Sequence, residues 1–149
     1  MSEVNAVGSR MVGGTGERRT LRIAARYADG WNAAYVSAER YEHLTSVLDD
    51  HCRSAGREPS EIRRSINLIF ALSNEGMSTE EVITRQGWGP MSSIVRDGAI
   101  TGPPASAAEQ IQRYIGAGAQ GVNIALRAPW DDVVLDQYLE QLPLLRKLS

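Results

Sequence analysis

Gly13-Gly14-Thr15-Gly16 is the segment of this 149-residue sequence best suited to chemistry. Three glycines in four positions let the backbone approach an anion closely, and the free amides at the start of a following helix donate to it. Thr15 adds a hydroxyl. Arg18, or Arg19 beside it, supplies a guanidinium that pairs well with a phosphate. The same run also reads as a tight strand-to-helix turn in which Thr15 is an ordinary N-cap. Glu17 places a negative charge on the first turn, which opposes an anion unless the side chain points outward. Arg127 is the second candidate cation. It directly follows an apolar segment, Val122 to Leu126, from which it could reach a phosphate, an anionic substrate or a salt-bridge partner.

Other chemistries lack their parts. His43 and His51 share one expected helix at a spacing unsuited to zinc, with no cysteine or acidic partner completing a site, and read as surface residues. The single cysteine, Cys52, excludes an internal disulfide and lies on an apolar stripe. The single lysine, Lys147, stands two residues from the end of the sequence, a poor place for Schiff-base chemistry. Asp49-Asp50 and Asp131-Asp132 are adjacent pairs directed to different faces, so they make poor acid–base couples. Trp31 and Asn32 read either as a pocket wall with a polar contact, or as core packing with the amide bonded to a loop. Ser73 and Asn74 follow a strand, as active-site residues of a barrel do, but Asn74 is also ordinary turn chemistry.

Holding a glycine turn and an arginine at strand ends requires strands alternating with helices. Strands are expected near residues 7–12, 29–35, 65–72 and 122–126. Helices are expected over residues 17–28 (Leu21, Ala24, Ala25 and Ala28 inward) and 38–55, the latter capped by Ser37 with Tyr41, Leu44, Leu48 and Cys52 as its stripe. A capping box, Ser78 with Glu81, opens a short helix. Residues 87–103, rich in glycine and proline, read as a long loop. A helix beginning at Pro104 carries Ile111, Tyr114 and Ile115 inward, and a last one over 131–147 carries Val134, Leu135, Tyr138, Leu139 and Leu142, kinked at Pro143. The pattern is (βα)4 with parallel strands, either an open doubly wound sheet or part of a (β/α)8 barrel. A whole barrel takes about 250 residues, so this chain corresponds to about half of one.

Composition agrees with one globular domain over 1–149: 42% apolar, 23% charged and a formal net charge of −2. That balance gives no basic face for nucleic acid, and no apolar run approaches the roughly 20 residues of a membrane span. No leader is visible, and the expected compartment is the cytoplasm.

The run MVGGTGERRTLRIAARYADGWN, Met11 to Asn32, resembles the bacterial luciferase-like monooxygenase family, and most closely its members dependent on the deazaflavin F420. Two further stretches resemble the same family: Gly102-Pro103-Pro104 through Tyr114 to Val122, and Leu139 to Arg146. The likeness spans about residues 10–147. It implies strands five to eight, the C-terminal half, of a (β/α)8 barrel. It implies an oxidoreductase using F420, alternatively FMN, for hydride transfer or monooxygenation of a small organic substrate. By the same resemblance Gly13, Gly14, Thr15, Gly16, Arg18 and Arg127 hold the cofactor, and no residue stands out as the catalytic acid or base. The alternative is a non-catalytic half barrel that only binds cofactor or oligomerises. A half barrel has two open sheet edges, and the apolar SINLIFAL strand (65–72) predicts an apolar inner face. The expected assembly is therefore a homodimer, or a pair with a separate N-terminal half-barrel chain.

Overall fold

The computed structural model describes residues 8–73, 76–128 and 132–146; Val7, Asn74, Asp131 and Lys147 lie outside the described residues. In chain order the elements are β1 (Met11–Gly13), α1 (Thr20–Tyr27), β2 (Gly30–Ala34), α2 (Ala38–Ser54), β3 (Arg63–Leu72), α3 (Thr79–Ile83), α4 (Ser92–Val95), β4 (Ala99–Gly102), α5 (Ala107–Gly116), β5 (Gly121–Ile124) and α6 (Asp132–Leu145). Every strand pair among the described residues is parallel, as βα alternation requires.

β3 organises the sheet, because successive residues of a strand bond toward opposite neighbours. Its odd positions turn to β2: the Arg63 amide donates to Asp29, and the Asn67 carbonyl accepts from Tyr35. Its even positions turn to β5: the Arg64 carbonyl accepts from Gln120 and that of Leu68 from Ala125. β2 leaves this edge at Tyr35, and β4 takes over the same edge, with the Ser73 amide donating to Gly102. The main order is β1-β2-β3-β5, and β4 continues the path of β2.

This fifth strand corrects the expected count of four. It also corrects the reading of residues 87–103 as a loop, which instead form short helical turns, α4 and β4. The hand-over depends on two residues. Tyr35 is the one described non-glycine residue with left-handed backbone, at φ 57°. Gly98 lies so close that a Cβ there would overlap the Tyr35 backbone. Gly98→Ala is expected to lower stability by about 1–3 kcal/mol through overpacking. Hydrogen exchange should show lost protection at Ser73, and an unchanged denaturation midpoint would contradict this account.

Side chains alternate across β3. Ile66, Leu68, Phe70 and Leu72 face the helices and join Leu21, Ala24, Trp31, Tyr41, Leu44, Leu48 and Cys52 in the main core. On the opposite face Ile69 and Ala71 are covered by Val82, Ile83, Trp88 and Val95 from the α3–α4 segment. The remainder of that face is polar. The Ser65 hydroxyl donates to Asn32 Oδ1 at 2.8 Å, and Asn123 Nδ2 donates to Asn67 Oδ1 at 3.1 Å. The expected apolar inner face is thus corrected: SINLIFAL alternates, and its serine and asparagine look inward.

The helices follow their stripes. Ser37 caps α2 by accepting from the Arg40 amide, and α6 runs through Pro143. Leu139 is 59% exposed rather than inward, since Leu135, Tyr138 and Leu142 already define the buried side. No helix among the described residues is long and apolar enough to cross a membrane.

Candidate functional site: a glycine turn rich in free amides

Parallel strands deliver all their C-terminal ends to one end of the sheet. At that end Gly13 closes β1, and the chain enters the turn. The Gly14 amide donates to the Asn32 carbonyl at 3.1 Å, continuing the β1–β2 ladder, so it is not free for an anion. The Gly14 carbonyl accepts the Trp31 indole N–H at 2.8 Å. The turn then opens wide, with the Leu21 amide reaching back five residues to the Gly16 carbonyl at 3.0 Å. Helix α1 therefore begins at Thr20, with Arg19 as N-cap and no side-chain cap. This corrects the reading of Thr15 as N-cap: the wide turn places it five residues before the helix. Among the described residues, the amides of Thr15, Gly16, Glu17, Arg18 and Arg19 have no acceptor. A run of unpaired amides in such a turn makes an anion-binding concavity.

Thr20 is packed beneath the turn and explains two of its glycines. Gly14 has φ 122°. A Cβ there would lie 3.2 Å from Thr20 Cγ2, and one on Gly16 would lie 2.8 Å from Thr20 Oγ1. At Gly13 nothing lies closer to a built Cβ than the Asn32 carbonyl at 4.0 Å, so space does not demand glycine there.

The charges around the turn are arranged to admit an anion. The Glu17 carboxylate is drawn to α2, where Arg40 Nη1 lies 2.7 Å and His43 Nε2 3.3 Å away. Those bonds, Arg40 first, hold the Glu17 carboxyl below the usual carboxylate range. His51 donates its Nε2–H to the Glu17 carbonyl at 2.7 Å. It is half-buried and pins the turn, rather than being a plain surface residue. Arg18 and Arg19 are exposed and have no carboxylate partner among the described residues. Thr15 to Thr20 and Arg40 together line an open depression.

Arg127 stands elsewhere. Its guanidinium lies over the Trp88 ring, 5.5 Å from the centroid, and Nη1 donates to Met91 Sδ at 3.1 Å. β1 and β5 occupy opposite edges of the sheet, three strand spacings or about 14 Å apart. Arg127 and the glycine turn share one end of the sheet and follow strands at its opposite edges. Trp31 is fully buried and stacked on Tyr41 at 5.4 Å, as core packing predicts. Asn32 bonds to Ser65 on β3 rather than to a loop. Cys52 is buried, which raises its thiol pKa and removes it as a nucleophile. Thr20, Arg40 and His51 were not marked by motif or spacing. Their roles come from α2 crossing α1, a contact that no local pattern encodes.

No family model matches the sequence, and no curated protein matches it. Solved structures do match in shape. An F420-dependent secondary alcohol dehydrogenase in complex with an F420–acetone adduct superposes with a TM-score of 0.71 at 14% identity, over 91% of this chain and 48% of that one. EDTA monooxygenase from Chelativorans gives 0.64 at 14% identity, over 92% and 44%. A long-chain alkane monooxygenase gives 0.62 at 15% identity, over 91% and 39%. The chain spans less than half the length of these structures, which are luciferase-like TIM barrels.

The fold is that of part of a (β/α)8 barrel.

In barrels of this kind the active site forms at the C-terminal ends of the strands. The glycine turn, Tyr35, Ser73 and Arg127 all lie at that end of this partial barrel. Its unpartnered amides and the two arginines at its rim make the turn a candidate anion site.

Proposed function

We propose that this chain is the C-terminal, cofactor-binding half of a luciferase-like oxidoreductase that uses F420, or alternatively FMN. The observation that carries this reading is the run of five unpartnered amides from Thr15 to Arg19, at the catalytic end of a partial barrel. Gly13 leads the chain into the turn, Gly14 and Gly16 shape it, Thr15 and Gly16 present amides, and Arg18 with Arg19 neutralises the phosphate. The similar structures include one described with an F420–acetone adduct and one described in complex with FMN, which supports this cofactor class. The bound cofactor would supply the redox chemistry on a small organic substrate. The chain's own part is to bind and orient the phosphate tail, with Trp31 and His51 keeping the turn in shape.

Mixing the protein with F420 or FMN tests this. Quenched cofactor fluorescence is expected, and no quenching would overturn the reading. Quenching without consumption of any electron donor would favour a non-catalytic binding module instead.

The reading extends to assembly. We propose that a second copy of this chain closes the barrel. The β1 edge exposes Met11, and α1 exposes Ile23 and Tyr27. The β5 edge carries an apolar groove of about 490 Å³ between α5, β5 and α6, lined by Ile115, Val122, Ile124, Tyr138 and Leu142 among others. In a twofold closure each β5 meets the partner's β1, so the exposed α1 residues meet that groove twice. Sedimentation at micromolar concentration should give twice the monomer mass. A monomer that unfolds cooperatively would refute closure by a second copy. Association only with a separate half-barrel chain would do the same.

A further inference from the structure

We propose that Arg127 is a binding site for the carboxylate of an organic substrate, separate from the phosphate site of the glycine turn. The proposal deepens the cofactor reading above and rests on it only for the division of labour between the two sites.

Arg127 is held but not neutralised. Arg10, Arg40, Arg53, Arg57, Arg64, Arg96 and Arg113 each pair with a carboxylate. Arg127 has no such partner among the described residues. Its guanidinium is laid on Trp88, its Cδ passes 3.9 Å from where a Gly87 Cβ would be, and Met91 Sδ accepts from Nη1. A cation–π contact holds the guanidinium in place without satisfying its N–H groups, which remain for a planar, bidentate acceptor such as a carboxylate. A thioether is a weak acceptor and leaves the charge uncompensated.

The surroundings are built rather than incidental. Trp88 is buried and is met edge-on by Tyr35, with ring centroids 5.9 Å apart. Tyr35 holds its left-handed backbone at the end of β2, and such strain persists where the surrounding structure enforces it, often at ligand clamps. The glycine turn follows β1 and Arg127 follows β5, strands about 14 Å apart at opposite edges of the sheet, and the proposal assigns a different anionic group to each.

Benzoate and its neutral isostere benzamide are suitable probes, titrated by calorimetry with the full chain. Benzoate should bind at least tenfold more tightly than benzamide. Arg127→Gln should remove that preference and leave FMN affinity within twofold, while Arg127→Lys should keep part of it. Equal affinity for benzoate and benzamide in the unaltered protein would overturn the proposal. So would an Arg127→Gln variant that loses FMN but not benzoate, which would assign Arg127 to the cofactor. If Arg127→Gln fails to fold, the unaltered protein and Arg127→Lys decide. Charge-selective benzoate binding without FMN binding would refute the glycine-turn reading and leave this one standing.

Discussion

Gly14→Val weakens binding of the cofactor phosphate by at least about tenfold while helix content stays nearly constant. The valine must adopt φ 122°, which costs of order 1–3 kcal/mol in a β-branched residue. Its Cβ also meets Thr20 Cγ2 at 3.2 Å. The turn relieves both by rotating, and rotation disperses the amides of Thr15 to Arg19. A difference of 1.4 kcal/mol is one decade in affinity, so the strain alone accounts for the loss. Fluorescence titration with F420 or FMN beside a far-ultraviolet dichroism spectrum reads both quantities. Unaltered affinity would refute the assignment of the turn.

Trp31→Ala is expected to cost about 3–5 kcal/mol, a large share of the roughly 5–15 kcal/mol that holds a domain together. Trp31 is fully buried and lies parallel to Tyr41. Its truncation empties the layer between sheet and α2. Trp31→Phe separates the two duties of this residue. A ring still stacks on Tyr41, but the hydrogen bond to the Gly14 carbonyl is gone, at about 1 kcal/mol. Urea denaturation should rank the two variants in that order. Cofactor affinity should fall in Trp31→Phe even though the fold survives. Equal midpoints for the unaltered protein and Trp31→Ala would show that the stack carries no stability.

Much of the fold was legible because it rests on periodicity. Leu21, Ala24, Ala25 and Ala28 on one helix, and Tyr41, Leu44, Leu48 and Cys52 on the next, are buried as their spacing predicts. Short elements were not legible. β4 is four residues long, AITG, and its pairing depends on Gly98 passing against Tyr35, two positions far apart in sequence. Composition sees only glycine and proline there. The glycine turn was found by its residue types, but the alternative of Thr15 as an N-cap fails, since the helix starts at Thr20 with Arg19 as its N-cap. Arg127 was recognised as a cation at a strand end. Its distance from the turn follows from strand order, which no single segment carries. The polar row of Asn32, Ser65, Asn67 and Asn123 was hidden by the overall apolarity of β3.

That row has a consequence for how strands find their places. Slipping β5 by one residue against β3 would carry Asn123 to the face where Ile66 and Leu68 now meet the helices, and slipping β2 would do the same to Asn32. Such an error strands buried carboxamides without partners, at about 1–3 kcal/mol for each unpaired group. The two faces of the sheet thus act as a proofreading scale. Misaligned pairings are penalised at several strands at once, and the correct alignment satisfies the Ser65–Asn32 and Asn123–Asn67 pairs together.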